Sequence, residues 1–147
     1  MTTVTLQDFS LSPDIVIGRD EHRQLTVLAL AGTDHTPDIS DDLLYELERA
    51  DIVPDVRVPH DVVRMGSRVA FRTGDEMREV ELVYPADADI AEGRISVLTP
   101  VGTALIGLRA GQSITWRTRN GRKQVLTIVR VSPPIAEESD DPGPSAA

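Results

Sequence analysis

The chain has 147 residues, of which 40% are hydrophobic and none is cysteine; this length and composition suffice for one buried core and exclude disulfides and thiolate metal sites. Its formal net charge of −9 argues against general nucleic-acid binding, because phosphate affinity comes mainly from clustered Lys and Arg. Residues 1–65 carry 13 acidic and 5 basic side chains, 66–131 carry 7 and 10, and 132–147 carry 4 and 0, which indicates two surfaces of different charge.

The first half of the chain predicts two short helices. Residues 1–14 lack periodicity and are expected to form a flexible arm. Apolar side chains recur at helical spacing in "RDEHRQLTVLALAG", which Gly32 can end, and again in "DDLLYELERADIV", which Pro54 can end. The polar stretch "TDHTPDIS" separates them, so residues 15–55 are predicted to form a short antiparallel helical hairpin.

The second half of the chain predicts strands. The runs "SRVAFR" and "VELVY" alternate apolar and polar residues on either side of the turn "TGDE", which indicates a β-hairpin. The run "RISVL" reads as a buried strand. Thr99 can cap a following helix whose first turn takes Pro100, since the missing N–H of proline is not needed there.

A second hairpin is predicted around Asn120-Gly121, the dipeptide that a type I′ turn favours. In that register Trp116 lies opposite Val125. Residues 132–147 are rich in proline and acidic residues and are expected to be disordered. The predicted fold is therefore α+β: a short helical hairpin, then a small antiparallel sheet that holds one short helix.

Few residues in the chain suit catalysis. The three histidines, His22, His35 and His60, have no catalytic signature around them and are expected to be solvated. The carboxylates of "DADIAE" lack the spacing of a calcium loop and read as a solvated turn. Asp34 and Asp38 are expected at the tip of the helical hairpin, where they could present a divalent cation or simply serve as turn and cap residues.

A basic cluster surrounds the Asn-Gly turn. Arg117, Arg119, Arg122 and Lys123 could hold a phosphate or carboxylate, or could protect an edge strand from aggregation, and the second role is favoured.

With these elements in order, the chain resembles the Gre-type transcription factors, which bind bacterial RNA polymerase. The resemblance runs from about Ile15 to Val131 and is carried by "LERADIVP", "DVVRMGSRV", "VELVYPADADIAEGRISVLTPVGTALIGLRAGQSI" and the closing hairpin. It implies that residues 56–131 form the C-terminal Gre domain, whose fold is similar to that of FKBP-type prolyl isomerases without their activity.

The resemblance also implies where the chain contacts its partner. Gre-type factors dock at the rim of the polymerase secondary channel through the loop and helix start after "RISV", which here comprises Leu98, Thr99, Pro100 and Val101. The cleavage factors of the family have an acidic residue at the position of Leu98, so that charge is absent here. Their long coiled coil presents two acidic residues to a catalytic magnesium, whereas the hairpin of this chain is too short to reach the active centre.

Together these inferences predict a non-enzymatic regulator of RNA polymerase, cytoplasmic and monomeric, without a cofactor, a metal site, a small-molecule substrate or a membrane contact. Nucleic acid would be met only through the polymerase. Two alternatives remain open: an FKBP-like prolyl isomerase, disfavoured by the 3% aromatic content, and a transcript-cleavage cofactor that presents a metal through Asp34 and Asp38.

Overall fold

A computed structural model describes residues 13–32, 37–118 and 120–134. The segments outside these ranges include most of the predicted arm and tail, as well as Asp34, His35 and Arg119. The helices and strands, in chain order, are β1 (Val16–Gly18), α1 (Arg19–Ala31), α2 (Pro37–Arg49), β2 (Asp51–Val53), β3 (Arg68–Thr73), β4 (Glu76–Val83), β5 (Arg94–Ser96), α3 (Pro100–Leu105), β6 (Ser113–Arg117) and β7 (Lys123–Ser132).

Five strands form the main sheet, in the order β5-β4-β3-β7-β6. The pairs β4–β3, β3–β7 and β7–β6 are antiparallel, as predicted. The edge strand β5 instead runs parallel to β4, so the prediction of a wholly antiparallel sheet was wrong. A tight hairpin can join only antiparallel strands. The segment between β4 and β5 instead contains two short 3₁₀ turns, and it returns the chain so that β5 runs in the same direction as β4.

A second, two-stranded sheet joins β1 to β2 in parallel. The sequence pattern assigned Asp51–Val53 to the end of the second helix, but α2 ends at Arg49 and these residues pair with Val16–Gly18. A parallel pair needs a long crossover connection, and α1 and α2 together supply it. The prediction of two helices is thus confirmed with a shorter second helix, while their description as an antiparallel hairpin stays a prediction.

One hydrophobic core joins the helices to the sheet. Alternation along the strands places Val69 and Phe71 of β3 on the inner face, where they meet Leu82 of β4. Leu25 of α1 and Leu43 of α2, both fully buried, belong to the same cluster. The helices therefore contribute to the core that holds the sheet, and their position is set by burial of this apolar surface.

A carboxylate from outside the helix caps the start of α1. Gly18 precedes the helix and has no side chain to cap it, and Asp55 instead accepts hydrogen bonds from the backbone N–H of Asp20 and of Glu21, at 2.8 and 3.3 Å. Arg64 lies 3.6 Å from the Asp55 carboxylate and 3.9 Å from that of Glu21. These contacts tie the first helix to the segment that leads into the main sheet.

The N-terminal side of the described chain is also held in place. The guanidinium of Arg49 donates to the carbonyl of Pro13 at 2.6 Å, and the amide of Gln112 donates to that of Asp14 at 3.2 Å. Pro13 and Asp14 were expected in the flexible arm, and these two contacts correct that boundary. The rest of the arm, residues 1–12, and the tail from 135 onward lie outside the described residues.

The second hairpin has a different register from the predicted one. Trp116 pairs with Gln124, and Thr115 pairs with Val125. The backbone N–H of Thr118 donates to Arg122 across the turn, and Gly121, at φ +82°, donates to Thr118. The connection is therefore one residue longer than a two-residue type I′ turn, as in hairpins that place glycine in the left-handed region after a type I turn.

The expectation that all three histidines are solvated was wrong for His22. Its Nε2 lies 2.9 Å from the backbone carbonyl oxygen of Leu47, and the residue is half-buried between α1 and α2, while His60 is exposed as expected. The Asp87, Asp89 and Glu92 side chains are exposed, which confirms the solvated turn. No helix in the described ranges is long and apolar enough to cross a membrane.

Candidate docking site

The turn between β5 and α3 is fixed by its own side chains. The hydroxyl of Thr99 accepts a hydrogen bond from the backbone N–H of Gly102 at 3.0 Å and donates to the carbonyl of Ser96 at 2.7 Å. Thr103 donates to the carbonyl of Val97 at 2.9 Å. The predicted cap at Thr99, with Pro100 in the first turn, is confirmed, and it holds the start of the helix in one position.

Gly102 lets the helix approach the strand closely. A Cβ atom at this position would overlap both the carbonyl oxygen of Ser96 and the Cα atom of Val97. The residue itself is buried. The glycine is therefore required for packing of α3 against the end of β5.

Beside this turn lies a groove of about 500 Å³, which we call the α3 groove. Thr99, Pro100 and Val101 of the α3 start line it together with Trp116 of β6. Its lining residues, taken together, are Arg78, Ala88, Ile90, Arg94, Ile95, Ser96, Thr99, Pro100, Val101, Trp116, Thr118 and Asn120. The groove is thus mainly apolar, with no carboxylate, histidine or cysteine among the described residues that line it.

The structure brings three of the four predicted contact residues to this groove. Leu98 does not line it, because it is half-buried and packs against the hydrophobic core; its backbone N–H donates to the hydroxyl of Ser96 at 2.9 Å. The position that is acidic in the cleavage factors is thus occupied here by a leucine that packs against the core and does not line the groove.

Sequence reasoning did not assign the lining residues that come from other elements, among them Ile90, Arg94 and Arg78. Ile90 stands 84% exposed before β5, and Arg94 follows it on β5. Arg78 lies on β4 with its guanidinium carbon 5.9 Å from the centre of the Phe71 ring. Alternation in β4, with Val80 and Leu82 facing inward, could have placed Arg78 on the inner face, but only the sheet order shows that β4 and β5 are neighbours.

The acidic part of the chain meets the groove along α2. A smaller cavity of about 190 Å³ is lined by Asp42 and Glu46 of α2 and shares Pro100 and Trp116 with the α3 groove. Burial raises the pKa of Asp42, the nearby carboxylates of Asp38 and Asp41 raise it further, and Arg117 opposes them.

Glu46, on the same helix, also has a raised pKa. Burial is the main cause and outweighs the attraction of Arg49, whose guanidinium lies 2.8 Å from the Glu46 carboxylate. Glu46 is thus partly desolvated beside the groove, whereas Asp42 is exposed and loses only part of its solvation.

The two predicted tip residues do not come together at the groove. Asp38 is exposed in the first turn of α2, where the helix dipole favours a negative charge, and Asp34 lies outside the described residues. Within the described ranges no three side chains of the metal-binding types lie close enough to hold an ion. The basic residues Arg117, Arg122 and Lys123 are exposed around the second hairpin turn.

Comparison with known proteins identifies the segment that carries the groove. The family model described as "Transcription elongation factor, GreA/GreB, C-term" matches residues 58–133. A regulator of nucleoside diphosphate kinase from Escherichia coli K12 is 43% identical over 95 residues, covering 63% of this chain and 70% of that protein. The GreA of Rhodospirillum rubrum is 36% identical over 85 residues, covering 56% of this chain and 54% of that protein.

A solved structure extends the similarity to the helices. The prokaryotic transcription elongation factor GreA/GreB from Nitrosomonas europaea matches with a TM-score of 0.65 and 36% identity, over 81% of this chain and 99% of that one. The α+β fold, the matched segment and the sequence identity agree with one another. The chain therefore belongs to the GreA/GreB family of transcription elongation factors, through the C-terminal region that this family shares.

Proposed function

We propose that this chain is a non-enzymatic regulator of transcription that binds RNA polymerase at the rim of the secondary channel through the α3 groove. The observation that carries the proposal is that the α3 groove lies within the segment that matches the family model and is lined by residues expected to dock. The segment 58–133, which matches the family model, contains every described residue that lines the groove, and three of the residues expected to dock are among them.

The groove has the properties of a binding surface. It is mainly apolar, the helix start that lines it is fixed by the hydroxyl of Thr99, and its lining includes a tryptophan, a residue type that often anchors interfaces. General acid or base catalysis needs a titratable group within hydrogen-bond reach of a substrate, and the described residues that line the groove include no carboxylate, histidine, cysteine, tyrosine or lysine. The acidic N-terminal half would add long-range electrostatic steering toward a basic partner surface.

A prolyl isomerase activity is the first alternative. It would use the same groove, but among the described residues Trp116 is the only aromatic one that lines it, whereas such a pocket needs an aromatic lining. A proline-isomerisation assay on a short peptide is expected to give the uncatalysed rate. Acceleration that the groove variant Val101→Asp abolishes would establish the isomerase instead.

A transcript-cleavage cofactor is the second alternative. The helices α1 and α2 have 13 residues each and at about 1.5 Å per residue extend only about 20 Å, so tip carboxylates such as that of Asp38 would stop short of the polymerase active centre. The chain is expected to occupy the channel without stimulating cleavage and to compete with longer Gre factors. Release of cleaved transcript from backtracked complexes by the purified chain would contradict this.

The name of the Escherichia coli relative connects it with nucleoside diphosphate kinase. No described residue indicates a direct contact of this chain with a kinase, and an effect through transcription is the simpler expectation. Because the partner is RNA polymerase, the proposal also places the chain in the cytoplasm, and it requires only one copy of the chain per polymerase.

The proposal is tested by a matched pair of substitutions. Val101→Asp puts a charge into the wall of the groove, whereas Val125→Asp puts the same charge on a valine that is 45% exposed on β7 and does not line the groove. Binding of the purified chain to core RNA polymerase should be lost in the first variant and retained in the second. Equal binding by both folded variants, or no binding by the wild type, would contradict the proposal.

A further inference from the structure

We infer that the segment before Pro13 docks on the protein itself: residues 8–12 add to the edge of β6 as an extended segment and place Phe9 and Leu11 in the cavity of about 190 Å³ between α2 and that strand. The segment lies outside the described residues, and its place is inferred from the surface at which the described chain begins. The inference does not depend on the identity of the partner, and the proposed function assigns no occupant to this cavity.

The described chain begins between the end of α2 and the start of β6. The carbonyl of Pro13 accepts a hydrogen bond at 2.6 Å from Arg49, the last residue of α2. The carbonyl of Asp14 accepts one at 3.2 Å from Gln112, the residue before β6. The covalent link to residue 12 therefore leaves from one end of the seam between the helix and the strand, which we call the α2–β6 seam.

The cavity lies farther along the same seam. Glu46 and Asp42, which line it, come about one and two helical turns before Arg49. On the strand side it is lined by residues 114–117 of β6. The five residues of β6 extend about 17 Å at about 3.4 Å per residue, so five extended residues before Pro13 are long enough to follow the seam past the cavity. A segment that leaves from this end runs antiparallel to β6.

The strand β6 offers an edge on which such a segment can pair. It is the last strand of the five-stranded sheet and pairs with β7 on its other side. Within the described ranges no second strand pairs with it. An extended peptide adds to the edge of a sheet through main-chain hydrogen bonds, and cavities that take alternate side chains make the addition specific. The seam supplies both the edge and a cavity.

The sequence of the segment suits this position. Residues 8–12 read "DFSLS", which alternates polar and apolar side chains, so Phe9 and Leu11 share one face of an extended chain. The cavity offers them apolar contacts with Ile114 and Trp116, and burial of such side chains is the main favourable contribution to docking. Because the segment is part of the same chain, docking costs less entropy than binding of a separate peptide.

The first test compares the two faces of the segment in the full chain. Phe9→Asn should shift the fluorescence of Trp116, the only tryptophan, to longer wavelengths, because that side chain lines the cavity. It should also lower the midpoint of urea unfolding by about 1 M, the shift expected for loss of one buried large apolar side chain. Ser10→Asn is the matched control on the opposite face and should leave both unchanged. Equal effects of the two variants would overturn the inference.

The second test locates the segment. Because the chain has no cysteine, Ser10→Cys provides a single site for a nitroxide label, on the face that points away from the cavity. In NMR spectra of the free full chain, the label should broaden the backbone amide signals of Ser113–Arg117 strongly. The signals of Arg94–Ser96 are the internal control, because β5 is the opposite edge of the sheet, about 19 Å away at about 4.8 Å per strand. They should be broadened much less.

The outcomes distinguish the possible occupants of the cavity. Equal broadening at both edges of the sheet, or none at either, would overturn the inference and leave the seam open to a separate partner. A sample that mixes labelled chains without isotope and isotope-enriched chains without label tests for exchange between copies. Broadening of β6 signals in that mixture would show that a second copy donates the segment, which also overturns the inference. Binding of polymerase by the wild type is measured separately, so the proposed function stands or falls independently.

Discussion

The cap of α3 offers the sharpest test of how the docking site is built. Thr99→Val keeps the shape of the side chain but removes its oxygen. The backbone N–H of Gly102 then loses an acceptor at 3.0 Å, and the carbonyl of Ser96 loses a donor at 2.7 Å. Thr99→Ser keeps both hydrogen bonds and removes only a methyl group, so it is the matched control.

The expected loss follows from these two contacts. Removal of an N-cap oxygen costs about 0.5–2 kcal/mol, and a further hydrogen bond contributes about 0.5–1.5 kcal/mol. Thr99→Val should therefore lower the free energy of unfolding by about 1–3 kcal/mol. Thr99→Ser should lower it by less than about 0.8 kcal/mol, the contribution of one buried methylene, because Thr99 is only half-buried.

The measurement is urea unfolding followed by tryptophan fluorescence and by circular dichroism. Trp116 is the only tryptophan in the chain and lines the same groove, so its emission reports on the site itself. Thr99→Val should also weaken binding to polymerase, because the wall of the groove loses its fixed position. If the valine and serine variants lost the same stability, the hydrogen bonds of Thr99 would not be what fixes this turn.

Three further predictions concern the packing and charge around the site. Gly102→Ala should lower stability by about 1–3 kcal/mol through overpacking against Ser96 and should weaken polymerase binding. In the control Gly74→Ala the new Cβ meets no atom within 4 Å, so stability should fall by about 1 kcal/mol through backbone strain alone and binding should not change. Urea unfolding measures the stability of each variant, and a titration with core polymerase measures its binding. Asp55→Ala should lower stability by about 1–2 kcal/mol by uncapping α1, and Asp55→Asn, which can still accept from the backbone, should lower it less; thermal unfolding that ranks them the other way would contradict the assignment of the cap. Asp42→Asn should raise stability slightly at neutral pH, because the raised pKa of Asp42 means that its charged form is less favourable in the folded state than in the unfolded one. The gain is small because Asp42 is exposed, and it should vanish below pH 3.8, the ordinary pKa of the group, where Asp42 is protonated in the folded and the unfolded state alike. A gain in stability that persists at that pH would show that the charge of Asp42 is not its cause.

The local features of the site could be predicted from the sequence, because they depend on neighbouring residues. Thr99 and Pro100 form a helix start by their own chemistry, and the strands on either side of Gly74 follow from their alternation. The crowding at Gly102 is different, because it depends on how closely the helix approaches Ser96 and Val97, and only the structure shows that.

The features that sequence reasoning missed depend on pairing across long separations. The strands β1 and β2 have three residues each, too few to show a period, and Asp51–Val53 follows a helical pattern closely enough to be taken for its last turn. The parallel pairing of β5 with β4 brings Arg78 and Arg94 to one groove, and no local pattern encodes it. The register of Trp116 depends on one extra residue in a turn.

Site-specific photocross-linking to core RNA polymerase tests the central claim most directly. A benzophenone amino acid in place of Ile90, which lines the α3 groove and is 84% exposed, should form an adduct that maps to the rim of the secondary channel. The same group in place of Val125, outside the groove and 45% exposed, should form none there. An adduct from Val125 at the rim, or one from Ile90 at a distant surface of the polymerase, would contradict the account.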